Sequence, residues 1–262
     1  MDSNQAAILL MGFILDRRAI LHAIMSTGIM VALPAGAAPF PVFTAGRVLY
    51  ADDFTHGLAQ WQVEMHQPGR VAAQGGMLEI DVPAGTSVWF RQELLGPVLI
   101  EYEAQAVSEG GPNDRVSDLN AFWMATDPVA PGGNVLARPR SGRFEDYDTL
   151  KTYYVGQGGN WNKTTRFRRY IGQQDDRPLL PENDRQDAAD MLVPNRWQKI
   201  TLLAVGSTIR YFRDGVMLFD YHDPEPYWRG HFAIRTTQSH LRIRRFRVYQ
   251  AVAQETATMT NR

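Results

Sequence analysis

The chain has 262 residues, 27 Lys+Arg against 28 Asp+Glu, 44% hydrophobic residues and 28 aromatics. That is enough apolar material for one sizeable core and excludes a disordered chain, while a formal charge of −1 excludes a polybasic nucleic-acid binder. With no cysteine, disulfides, thiolate metal sites and cysteine nucleophiles are excluded as well. Only three of the 27 basic residues are lysines (Lys151, Lys163, Lys199), so the positive charge is carried by guanidinium groups, which match carboxylates bidentately.

Residues 1–37 read as an export signal. Arg17-Arg18 precede an apolar run from Ala19 to Leu33, then Pro34 and the small residues Ala35-Gly36-Ala37. The paired arginines fit a twin-arginine signal, with an ordinary secretory signal as the alternative. The apolar run is shorter than the ~20 residues a membrane span needs, so stable membrane insertion is not expected, and a periplasmic or secreted location is. Residues 38–48 read as a linker, 49–250 as one domain and 251–262 as a flexible tail.

From Leu49 onward, short alternating or apolar runs are separated by Gly, Pro, Asn and Asp, the pattern of strands and turns. Strands are expected over residues 71–73, 77–82, 87–93, 98–107, 120–126, 152–156, 164–171, 197–205, 208–213, 216–221, 230–236 and 241–249. A two-residue hairpin turn is expected at Asp214-Gly215, a helical turn over 187–192 and a bulge at Arg244-Arg245. A dozen strands with almost no helix predict an all-β sandwich. Alternation turns Ile100, Tyr102, Ala104 and Ala106 inward and Glu101 and Glu103 outward. It opposes Phe232 and Ile234 to His231 and Arg235. In 164–171 it places Arg166, Arg168 and Tyr170 on one face and Phe167 on the other. In 120–126 it leaves open whether Asn120 and Phe122 or Ala121 and Trp123 face outward.

The strings Asp52-Asp53-Phe54-Thr55-His56-Gly57-Leu58, Asp118 to Pro128, Tyr153 to Tyr170 and Gly230 to Thr237 resemble the YesU-like family of unknown function, of the DUF6250/DUF1961 type. The resemblance covers about Leu49 to Tyr249. It implies a concanavalin A-like jelly-roll β-sandwich of two antiparallel sheets, in a family similar to lectins and glucanases whose members tend to accompany pectin or rhamnogalacturonan use. The Glu-x-Asp-x-x-Glu triplet of many jelly-roll glucanases is not found here.

The chemistry-bearing residues cluster in Tyr153–Tyr170, which holds Lys163, Arg166, Arg168 and Arg169 and no acid. Such a patch calls for an anion. Asn160, Asn162, Tyr153, Tyr154 and Tyr170 add neutral polar groups, and Trp161 offers a flat apolar plate for a sugar ring. The alternative is that these arginines pair with the acidic stretch Asp175–Asp190. For a uronate-containing glycan the fitting reaction is β-elimination, with Arg166, Arg168, Arg235 and Asn120 steadying the carboxylate. Tyr153, Tyr154, His231 or His240 would move the proton, and Trp123 is a further candidate for substrate contact. Glu101 and Glu103 are the only close carboxylate pair of the kind glycoside hydrolysis needs. The expected function is therefore action on an acidic polysaccharide or oligosaccharide, by elimination. The alternatives are a non-catalytic carbohydrate-binding module, and a hydrolase or 3-keto-sugar eliminating enzyme. No cofactor is expected; a structural calcium stays open.

Overall fold

A computed structural model describes residues 41–254. The expected export signal, and the tail from 255 onward, lie outside the described residues.

Sixteen strands run β1 (Phe43–Asp52), β2 (Trp61–Met65), β3 (Arg70–Gln74), β4 (Met77–Val82), β5 (Thr86–Phe90), β6 (Leu94–Leu95), β7 (Val98–Ala106), β8 (Leu119–Thr126), β9 (Lys151–Gly158), β10 (Thr164–Ile171), β11 (Asp184–Arg185), β12 (Gln198–Val205), β13 (Thr208–Arg213), β14 (Val216–His222), β15 (Arg229–Thr236) and β16 (Ser239–Ala253). One sheet has the order β14-β13-β12-β7-β16-β4-β3, with β1 also on β16. The other has β11-β10-β9-β8-β15-β5-β2, with β6 on β15. All the strand pairings are antiparallel. This is the expected sandwich.

Alternation builds the core between the sheets. Ile100 and Tyr102 of β7 and Ile243, Phe246 and Val248 of β16 meet Phe90, Trp123, Tyr153, Phe167 and Phe232 of the second sheet, all with at most 1% exposure. Each such side chain contributes about 1.5–3 kcal/mol by leaving water. The buried Asp52 is tied in by Trp61 Nε1 at 2.8 Å and the Phe54 N–H at 2.7 Å, so the Asp52-Asp53-Phe54 string fastens the first strand to the second sheet.

The Asp214-Gly215 turn has φ angles of 52° and 79°, as a type I′ hairpin requires. The bulge falls where expected: Arg245 has φ 57° and the β16–β7 register shifts between Arg244 and Arg247. Two boundaries differ from expectation. Strand β1 begins at Phe43, inside the segment read as a linker, and β16 continues to Ala253, into the segment read as a tail. Their pairing carries two register shifts, so period-2 alternation is lost in β1. Gly46 is required there by close approach, since a Cβ would lie 2.6 Å from Val252 Cγ2.

Candidate functional site

The outer face of the second sheet is divided. Its register aligns Arg166, Gly156, Asn120, Arg235, Ser87 and Glu64 in one row and Arg168, Tyr154, Phe122, Ala233 and Trp89 in the next. Over β15, β5 and β2 the row is covered by residues 127–150. Glu64, Ser87, Trp89, Ala233 and Arg235 are all at most 3% exposed. Trp89 and Ala233 pack with Val135, Phe144, Tyr147 and Leu150 in a second apolar cluster, with Arg235 against the Phe144 and Tyr147 rings and Glu64 bonded to the Tyr147 hydroxyl. Over β8, β9 and β10 the face is open and forms a cleft of about 390 Å³ lined by Asn120, Tyr154, Gly156, Arg166 and Arg168, with Arg115, Asp118, Phe144, Trp161 and Thr237 around it.

The cleft owes its depth to Gly156. It faces outward between Arg166 and Asn120, and a Cβ there would lie 3.1 Å from the Tyr154 hydroxyl. The rim is the β9–β10 connection, where Asn160, Trp161 and Asn162 have φ of 53°, 59° and 59°. Three successive non-glycine residues in the left-handed region are a strained conformation, held here by side-chain bonds. Asn162 donates to the Leu192 carbonyl (2.9 Å) and accepts from its N–H (2.8 Å), and Asn160 donates to Thr164 Oγ1 (3.3 Å). Trp161 is left 67% exposed, with the Arg115 guanidinium 4.5 Å above its ring.

The charges are unequal. Arg166 is clamped by Asp184, Nε to Oδ1 at 2.8 Å and Nη2 to Oδ2 at 3.0 Å. It does not offer the free charge expected of it. Arg168 donates to the Arg177 carbonyl and has no carboxylate partner among the described residues; burial pulls its pKa below the ordinary guanidinium value. Arg115 also makes no ion pair among the described residues. The one acid lining the cleft is Asp118, whose carboxylate accepts from Thr237 Oγ1 at 2.7 Å and Asn120 Nδ2 at 3.4 Å. The Asn120 side-chain oxygen is buried without a partner. Burial raises the pKa of Tyr154 well above that of a free tyrosine, so the hydroxyl keeps its proton.

Six of the expected residues thus meet in the cleft: Asn120, Tyr154, Asn160, Trp161, Arg166 and Arg168. The others do not line it. Tyr153 and Trp123 point into the inter-sheet core, and the Tyr153 hydroxyl donates to Asp223 at 2.7 Å. Tyr170 is fully buried behind the cleft, its ring 5.5 Å from that of Tyr154. Asn162 is spent on Leu192. Arg235 is 1% exposed, donates to Ser87 and Gly142, and lies under the rings of Phe144 and Tyr147 at 5.1 and 4.6 Å. His231 is buried, with Nδ1 3.1 Å from the Phe90 carbonyl, and burial lowers its pKa. His240 belongs to β16 of the other sheet, between Asp114 (2.8 Å) and Glu79 (3.0 Å). Neither histidine can move a proton in the cleft. Glu101 and Glu103 lie on β7 of the opposite sheet and are ion-paired with Lys199, Arg244 and Arg245.

Arg115, Asp118, Phe144 and Thr237 escaped the sequence reading because each sits on a connection without periodicity; Asp118 alone carried a signal, two residues before the odd polar Asn120 in an apolar run. Among the described residues, no group of three or more His, Asp or Glu could hold a metal ion, and no helix is long and apolar enough to cross a membrane.

A two-layer jelly roll of the concanavalin A type, with its cleft on one outer sheet face, is therefore the class of the molecule. Residues 80–246 match the family described as a domain of unknown function (DUF6250), and the chain belongs to that family. Comparison with curated proteins finds no match. Among solved structures, the chain is similar to a protein of unknown function with a galectin-like fold from Bacillus subtilis, at 15% identity and a TM-score of 0.62 over 81% of this chain and 100% of that one. It is also similar to LamA from Zobellia galactanivorans in complex with laminaritriose and laminaritetraose, at 11% identity and 0.52 over 79% and 100%. A third is an endo-β-1,3-glucanase from Pyrococcus furiosus, at 12% and 0.50 over 83% and 100%. At these identities the likeness establishes the fold.

Proposed function

We propose that the cleft binds an acidic sugar of a polysaccharide or oligosaccharide and cleaves it by β-elimination. The observation that carries the reading is Arg168, a guanidinium without a carboxylate partner among the described residues, half-buried in a cleft that Asn120, Tyr154 and the exposed Trp161 also line. A sugar carboxylate gives Arg168 the partner it lacks, and the ring stacks on Trp161. The sugars in the LamA complex and the YesU-like resemblance favour a carbohydrate, with pectic glycans first to be tried. An exported protein, periplasmic or secreted, would meet such chains.

Elimination removes the proton on the carbon bearing the carboxylate. The electron pair left behind forms the new double bond to the neighbouring carbon, and the glycosidic oxygen leaves that carbon with a proton. Asp118, the acid lining the cleft, takes the first proton. Arg168 and the Asn120 amide steady the charge developing on the carboxylate; one preorganised donor of this kind contributes about 3–4 kcal/mol in other enzymes. Tyr154, protonated because burial raises its pKa, supplies the proton to the leaving oxygen. A binding-only module is the second reading, favoured by the displacement of both histidines from the cleft. Hydrolysis by Glu101 and Glu103 is not carried forward, because the pair faces away from it.

One assay over pectin, rhamnogalacturonan, glucuronan, alginate and ulvan tests this. Ultraviolet absorbance of an unsaturated uronate is the expected result. Binding without any bond cleavage would leave the module reading, and new reducing ends without that absorbance would overturn elimination.

A further inference from the structure

The same half-covered face says how a glycan enters. We infer that the cleft receives the end of a chain and not its middle; this rests on the acidic-carbohydrate reading of the site.

A sheet of seven paired strands spaced about 4.8 Å apart offers a track of roughly 29 Å across its face. Here the open part of the face that lines the cleft is carried by β8, β9 and β10, roughly 10 Å between the outer strand axes, with the two-residue β11 at the edge beyond β10. On the β15, β5 and β2 side the face is closed by residues 127–150, and that cover is braced rather than loose. Arg140 is its hub: Nη2 bonds the fully buried Asp127 at 2.6 Å, Nη1 the Val135 carbonyl and Nε the Asp146 carbonyl, both at 3.1 Å. The sheet holds the cover from below through Glu64, whose carboxylate accepts the Arg140 N–H at 2.9 Å and the Tyr147 hydroxyl at 2.8 Å, besides Trp89 Nε1 at 2.8 Å. A buried carboxylate with three donors, two of them from the cover, fixes it in place.

Phe144 forms the end wall. Its ring lies between the Arg177 and Arg235 guanidiniums, at 4.5 and 5.1 Å, and borders the cleft. A sugar chain following the row Arg166, Gly156, Asn120 meets this wall at the next strand, where Arg235 is already sealed. The covered half cannot accept the sugars that would continue an internal segment, so the bound acidic unit is the terminal one.

The test is the stoichiometry of binding, measured by calorimetry on Tyr154→Phe protein, whose ring keeps the cleft's shape while elimination is slowed. The probes are galacturonate oligomers from the dimer upward and long polygalacturonate, with glucuronan and alginate series in parallel. End recognition gives one protein per chain whatever the chain length. Several proteins bound along each long polymer would overturn it while leaving the acidic-carbohydrate reading intact. No heat with any of the three series would overturn the reading of the site itself. In wild-type protein, release of the smallest product from the earliest times is expected; an early collapse of polymer viscosity, the mark of internal cutting, would overturn the inference.

Discussion

Asp184 grips Arg166 with both carboxylate oxygens, on the Nε–Nη2 edge of the guanidinium at 2.8 and 3.0 Å, while Arg168, two residues along the same face of β10, meets only a carbonyl oxygen. Two arginines that look equivalent in the sequence are therefore a structural pair and a vacant cation. Arg168→Met should weaken binding of an acidic oligosaccharide by about 2 kcal/mol, roughly 30-fold, the loss expected for a hydrogen bond to a charged group. The double variant Arg166→Met/Asp184→Asn, which removes both halves of the pair, should lose much less. Calorimetry with galacturonate oligomers ranks them; the opposite order would mean that Arg166 leaves Asp184 when the ligand arrives.

Gly156→Val is expected to empty the cleft without unfolding the protein. The residue has ordinary strand geometry, so a β-branched side chain suits its backbone. In space it does not suit: its Cβ would press on the Tyr154 ring and hydroxyl at 3.1–3.2 Å. Ligand affinity should fall more than tenfold while the thermal midpoint moves by only a few degrees. A large drop in the midpoint would instead make Gly156 a packing residue.

The same residues explain what could be read in advance. Alternation gave the faces of β7, β10 and β15 correctly, because each buries one side against the opposite sheet. It failed in β8, where Phe122, Trp123 and Met124 are all buried: Phe122 packs outward under the cover, Trp123 packs inward, and Met124 sits at φ 54° in a bulge. The cover itself was invisible. Residues 127–150 hold only short 3-10 turns, at Pro131–Gly133, Val135–Ala137 and Phe144–Tyr147, and nothing periodic announces that they shield half a sheet. Side-chain placement was misjudged for Arg235, which lies on the expected face but under that cover. It was also misjudged for Tyr153, since neighbours in a strand necessarily point to opposite faces.

Asn162→Ala should act on Trp161 from a distance. The Asn162 amide bonds Leu192 in both directions, and losing it frees a rim whose left-handed backbone has little reason to persist alone. Affinity should fall by about as much as in Trp161→Ala, of the order of 1 kcal/mol for a lost aromatic contact. The double variant should be no worse than either. Additive losses in that cycle would show that the two residues act independently.

Tyr154→Phe separates catalysis from binding. The ring is retained, so KM should stay within a few-fold, while turnover should fall by about 10²–10⁴ if the hydroxyl donates a proton in the transition state. Because burial holds the Tyr154 pKa well above the ordinary value, the donor stays loaded as pH rises. Wild-type turnover should show no alkaline loss from this group below about pH 10. An alkaline limb near pH 8 that disappears in Tyr154→Phe would contradict that assignment.

The loop that brings Arg115 and Asp118 to the cleft is tethered at Asp114, and the tether should give way in acid. Burial alone would raise the Asp114 pKa. The Gly111 and Glu109 N–H groups, at 2.9 and 2.6 Å, and the His240 imidazole more than reverse this and hold it at about 2. A carboxylate depressed in the folded state adds stability that is complete above its unfolded pKa of about 4. That stability is lost as pH falls through the folded value. The difference in denaturation midpoint between wild type and Asp114→Asn should therefore be constant above about pH 4 and shrink toward pH 2. At neutral pH the variant should also bind acidic oligosaccharide more weakly, since Arg115 and Asp118 lie one and four residues further along. Unchanged affinity alongside the expected loss of stability would show that the loop's other anchors hold it in place, the Thr237–Asp118 bond at 2.7 Å, the Ser239 hydroxyl on the Arg115 and Ser117 carbonyls and the Asp118 N–H on the Gly158 carbonyl.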